Sequence, residues 1–199
     1  MNTTKTLVIT REHLDADGYY IGSTDVTNFQ GDIEMDSNLG QVRFKSYLHA
    51  SGSICAGYGT GIKAENSIKA GGSIQAGTYI VSDTSVMSGR NIKAGEHIKA
   101  GYMIEAAGNI KAGAYIDSDT GVMSARNIKA GTHIRAGTSV MSARNIKAGT
   151  HIRAGTGVMS GGSIKAVEGI NAGTSDMFGV GIKAGNTIEA SRKLVKRSK

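Results

Sequence analysis

One period governs the chain. From Ile62 to Ile170 every sixth residue is Ile or Val, nineteen consecutive slots. Asp176 breaks the run, and Ile182 and Ile188 resume it. Two places after each slot stands Ala or Ser, except at Phe178, and three places after it most often stands Gly. Six is neither the helical period of 3.6 nor the plain strand alternation of 2. It is the period of a solenoid in which short strands alternate with corners. In I-K-A the Ile and Ala point inward and the Lys points out, because strand side chains alternate. Gly is expected at the corner, where a positive φ is often needed.

A longer repeat confirms the coil length. VMSGRNIKAGEHIKAG begins at Val86, VMSARNIKAGTHIRAG at Val122 and again at Val140, and VMSGGSIKAVEGINAG at Val158. These offsets are multiples of eighteen, three hexads, so like residues stack on like. The predicted fold is all-β: a triangular parallel β-helix of about eighteen residues per coil, its hand left open. Seven coils from Ile62 to Ile188 would span about 34 Å at the usual strand spacing. The chain has no proline, as suits a parallel ladder that uses every backbone N–H.

Four regions follow from the pattern. Residues 1–20 do not fit the repeat and are assigned as an N-terminal cap, with a strand at TLVIT (6–10) and a helical turn over 11–17. Residues 21–61 are irregular first coils, with a two-residue insertion at 57–61 shifting the register. Residues 62–190 form the regular solenoid, distorted or bulged near Asp176-Met177-Phe178. Residues 191–199 (SRKLVKRSK) are a solvated basic tail.

Sorting outward residues by coil position gives side-chain columns. One face stacks Lys93, Lys111, Lys129, Lys147, Lys165 and Lys183, with Arg90, Arg126 and Arg144 beside them. It is either a solvated face that keeps edges from aggregating or a stripe for an anionic partner. Asn91, Asn109, Asn127 and Asn145 stand at the preceding corner, where stacked amides can hydrogen-bond along the column. A second face carries Met87, Met123, Met141 and Met159, interrupted by Glu105, and reads as a self-association face. The alternative is that cap or tail covers it. A third column reads Tyr79, His97, Tyr115, His133 and His151, rings that fill a corner. Adjacent histidines there would resist double protonation, so mild acid is expected to loosen this edge.

Charge and composition narrow the function classes. The net charge is +7, with −3 in residues 1–50, +5 in 51–190 and +5 in the tail, so the chain is no acidic nucleic-acid mimic. The early acids Asp15, Asp17, Asp25, Asp32, Glu34 and Asp36 form a candidate partner-binding segment. The single cysteine, Cys55, and an N-terminus without a long apolar stretch suit a cytoplasmic protein, in the host cytoplasm if phage-encoded. No GxxxxGK, GxSxG or HExxH occurs, so no catalytic or metal residues and no cofactor are assigned, and the chain is read as a non-enzyme.

The NIKAG and HIRAG repeats, over about residues 42–190, resemble hexapeptide-type β-solenoid proteins. That resemblance takes in hexapeptide acyltransferases, bactofilin-like proteins that polymerise end to end, and small phage-borne solenoids. It implies the architecture more than an activity. The acyltransferase pattern has its small residue two before the aliphatic, whereas here it falls two after. Bactofilin-like polymers need two open ends, and residues 1–20 read as a cap. The expectation is therefore a non-catalytic interaction protein, a phage-type inhibitor that sterically blocks a bacterial protein or nucleoprotein complex, anti-CRISPR- or anti-restriction-like. In that reading the acidic segment enters a basic channel, and a homodimer forms through the methionine face. The alternatives are a self-assembling scaffold and a nucleic-acid-binding protein; no membrane partner is expected.

Overall fold

The computed structural model describes residues 5–173, 177–179, 181–190 and 194–196. They build a parallel β-solenoid of three sheets with ten, nine and nine strands. From Asp32–Met35 onward successive strands go to successive sheets, so each strand pairs with the one a coil away. In the regular part the register is eighteen residues: Ile110 lies opposite Ile128 and Ile128 opposite Ile146. The sheets are named here for their outward columns: lysine, methionine and mixed-charge.

The alternation expected of I-K-A is what the chain shows. In Ile128–Ala130 the Ile and Ala are buried and Lys129 is exposed. The aliphatic slots from Ile62 to Ile170 are at most 1 % exposed and join one continuous core. Each such Ile contributes about 2 kcal/mol of burial, so the rod is stabilised layer by layer through its neighbours.

The inward small residue is Ser at some positions for a reason. Ser88 Oγ donates to the Gly72 carbonyl one coil back at 2.7 Å, and Ser124 Oγ to the Gly108 carbonyl at 2.6 Å. Ser142 does the same to Arg126. A buried hydroxyl is tolerated because it is satisfied.

Glycine at the corners answers a different need from the expected positive φ. Among the described residues, positive-φ glycines are Gly18, Gly31, Gly40 and Gly59, all before the regular repeat. In the repeat the constraint is close stacking. A Cβ on Gly131 would sit 1.8 Å from the Gly113 carbonyl oxygen.

Both ends depart from the plain reading. Thr6–Ile9 pairs in parallel with Asp32–Met35 and is the first strand of the lysine sheet, so the segment read as a cap also extends the solenoid. The helical turn is a 3-10 turn, Arg11–His13. Leu14, Val26 and Phe29 are buried at that end, and Tyr20 packs on Phe44 with ring centroids 5.8 Å apart. The insertion at 57–61 lengthens a coil to twenty residues, setting Val42 opposite Ile62.

Near the other end Met177, fully buried, takes the aliphatic slot opposite Val158, one residue later than the period requires. The layer is thus kept by a one-residue slip, with no outward bulge of Met177; Asp176 lies outside the described residues. Within the stretch read as a tail, Leu194–Lys196 pairs with Met177–Gly179 and is the last strand of the methionine sheet. Residues 191–193 and 197–199 lie outside the described residues.

Candidate interaction surfaces

The lysine column is assembled as the sequence implied. Lys93, Lys111, Lys129, Lys147, Lys165 and Lys183 lie in register on consecutive strands, all exposed. Toward the N-terminus the column continues through Gln75, Cys55 and Glu34, so its cationic part has a defined start. Arg90, Arg126 and Arg144 are exposed at the adjoining corner. Among the described residues the one ion pair is His151–Glu168, so these nine cations have no carboxylate within 4 Å. Neighbouring lysines repel by about 1 kcal/mol in water at this spacing, and the buried Ile ladder beneath holds them in line.

The polar corner beside it is a hydrogen-bond ladder. Each Asn Nδ2 donates to the Oδ1 one coil back: Asn109 to Asn91 at 3.1 Å, Asn127 to Asn109 at 2.9 Å, and Asn145 to Asn127 at 3.1 Å. The same oxygens accept backbone N–H groups, as at Asn109, 2.8 Å from Asn91 Oδ1. Earlier coils prolong the corner with Ser: the Ser73 N–H donates to Ser53 Oγ and the Ser53 N–H to Asp32 Oδ1.

On the methionine sheet, Met87, Glu105, Met123, Met141 and Met159 stand in one outward column. The slip at Met177 places Phe178 opposite Met159 and lengthens the apolar stripe. Sequence reading missed Phe178 here; its offset of one from the hexad was the available signal. The stripe floors an open groove of about 970 Å³, whose lining comes from this sheet and the corner after it. Leu194–Lys196 adds to the edge of this sheet, and among the described residues none of the cap lines the groove.

The aromatic column stacks for four rings. Tyr79–His97, His97–Tyr115 and Tyr115–His133 have centroids 5.1, 4.8 and 5.1 Å apart and planes within 13°. His151 leaves the stack and turns to Glu168, with Nε2 3.4 Å from Oε2. Burial between two tyrosines pushes His97 below the ordinary histidine value; Glu96 opposes this and Lys99 adds to it. Burial also lowers His49, helped by Lys69.

The acidic residues do not form one patch. Asp15 accepts from the Tyr19 N–H at 2.8 Å, near Arg43 of the mixed-charge sheet. Asp25 accepts from the Thr27 N–H at 2.8 Å, by the methionine sheet, where His49 N–H meets the Val26 carbonyl. Those bonds hold the Asp25 carboxyl below its usual range. Asp32 and Glu34 lie on the lysine sheet and Asp36 just after it, while Asp17 is exposed in the turn before Tyr19. Three of the six therefore hold local backbone structure.

Sheets, register and columns together define a repeat parallel β-solenoid with three chemically distinct faces. No family model, curated protein or solved structure matches the chain. No helix among the described residues is long and apolar enough to cross a membrane.

Proposed function

We propose that this chain is a non-catalytic interaction protein, a rigid rod that inhibits a bacterial nucleoprotein complex by occupying its surface, in the manner of small phage-borne, anti-CRISPR- or anti-restriction-like solenoids. The observation that carries the reading is the row of six exposed lysines with three flanking arginines, none of them paired with a carboxylate among the described residues. A row of cations at fixed spacing suits an extended anionic surface, either an acidic protein groove or exposed backbone phosphates. The acidic residues, scattered over three sides, serve the reading less well than this stripe.

The test is capture of partners from bacterial lysate with the wild-type chain and with K111E/K129E/K147E, each with and without nuclease. A stoichiometric nucleoprotein complex held by the wild type and lost by the variant is expected. Equal capture by both removes the lysine column from the function. Loss of all bound material on nuclease treatment shifts the reading to direct nucleic-acid binding.

A second reading, a self-assembling scaffold of the bactofilin-like kind, is favoured by the methionine groove. Its occupant would be a second copy. With two rods antiparallel about Met141, Met123 of one meets Met159 of the other and Met141 meets its own equivalent across the stripe. Parallel rods would set like charges together. Sedimentation of the wild type against M123K/M141K decides it: a dimer or polymer lost in the variant supports the reading, and a monomeric wild type ends it.

A further inference from the structure

Two columns of the mixed-charge sheet break at the same step. The outward column runs Lys99, Asp117, Arg135, Arg153 in register. Charges alternate as far as Arg135, and then one arginine lies directly opposite another. The ring column stacks from Tyr79 to His133 and stops there, because His151 turns to Glu168. Between these two coils a cavity of about 220 Å³ opens, lined by His133, Ile134, Arg135, Thr150, His151 and Arg153.

The two arginines have no carboxylate partner among the described residues, and the one acid paired with the quartet is Glu168, on His151. His133 and Arg135 are two residues apart on one coil, with His151 and Arg153 beside them on the next, so alternation puts all four on the outer side. In-register like charges destabilise a sheet, and neither arginine has a carboxylate within 4 Å among the described residues. The neighbouring acids are Asp117, opposite Arg135, and Glu168, engaged with His151. Thr132 Oγ1 lies 3.3 Å from His133 Nδ1 and so orients that ring. The Thr150 hydroxyl donates to the Thr132 carbonyl at 3.1 Å and forms wall rather than ligand.

We propose that this quartet binds a phosphate group. Two guanidinium forks converging on one cavity match the oxygens of a phosphate, and each imidazole offers a ring N–H. The anion takes the place of the carboxylate that the column lacks at this step. The phosphate is either inorganic or part of a nucleic-acid backbone. The site lies on a different sheet from the lysine column and does not rest on it.

The test is NMR of the histidine imidazoles while inorganic phosphate is added at constant pH and ionic strength. His133 and His151 should shift saturably while His49 stays still. In R135Q/R153Q the affinity should fall at least about tenfold, or about 1.4 kcal/mol. Arg153→Asp restores charge alternation, so it should raise thermal stability while abolishing phosphate binding, a pair of effects that misfolding would not produce. K63Q, on the same sheet four coils from Arg135, should leave the titration unchanged. A wild type whose His133 and His151 ignore phosphate overturns the proposal, as does R135Q/R153Q responding like the wild type. Titration with a short single-stranded oligonucleotide then distinguishes the sources. Affinity at least about tenfold above that of phosphate assigns a nucleic-acid backbone, and equal affinity assigns the free ion.

Discussion

The first coils and the regular repeat solve the same problem by different means. Ile33 to Ile54 takes twenty-one residues and Val42 to Ile62 twenty, whereas coils of the regular repeat before the slip at Met177 take eighteen. The early coils use Asn38 and four glycines at positive φ, carboxylates that accept backbone N–H groups, and large core residues such as Phe29, Met35 and Phe44. In the repeat, Ile, Ala, Ser and Asn recur: the aliphatics pack on their equivalents, each Asn bonds to the Asn one coil back, and the buried Ser donates to a backbone carbonyl of the preceding coil. An interior layer is templated by its neighbours, while an end layer must supply its own closure.

The sharpest way to break this contrast is by deletion. Removing residues 122–139 sets Asn145 on Asn109 and His151 on Tyr115, and the chain should still fold, with a small loss of thermal stability. Removing residues 6–35 takes away Leu14, Val26 and Phe29 and should abolish cooperative unfolding seen by circular dichroism. A folded product of the second deletion would show that the closure is dispensable.

Point changes come next in size. Ile128→Ala in the central core should cost about 2–5 kcal/mol in urea unfolding. Gly131→Ala should cost about 1–3 kcal/mol as an overpacked site, because its Cβ would meet the Gly113 carbonyl. The same change at Gly40, where nothing lies within 4 Å but φ is +73°, tests strain instead of space.

The Asn ladder is weaker. Asn127→Ala removes bonds to both neighbours and should cost about 1 kcal/mol. The same change at Asn91, where the ladder begins, should cost less.

Acid should weaken the rod gradually. His97 and His49 have folded values below the ordinary 6.5, so the unfolded chain takes up protons first as pH falls. Stability is therefore full above about 6.5 and declines below it, toward the depressed folded values. The acid sensitivity is thus expected at His97 and His49. His97→Tyr, which keeps a ring in the stack, should flatten the melting profile between pH 7 and 5. An unchanged slope would remove His97 from the account.

Much of this was legible in the residues because it is local. The hexad told which side chains turn inward, and the eighteen-residue blocks told which ones stack. The lysine column, the Asn ladder and four rings of the aromatic column stand where that arithmetic puts them. Alternation and period depend only on spacing along the chain.

What the tertiary structure decided are contacts between coils. Whether Met177 or Asp176 fills a core slot depends on what Val158 accepts opposite it, and the answer carries Phe178 onto the methionine stripe. Corner glycines are needed because the preceding coil's carbonyl lies against them, which no single coil reveals. His133 and His151 are alike in sequence, yet only His151 has Glu168 within reach, and that one contact ends the ring stack and opens the cleft between Arg135 and Arg153. Spacing along the chain sets direction and register, but competition among neighbours for the same side chain is settled only when the coils are stacked.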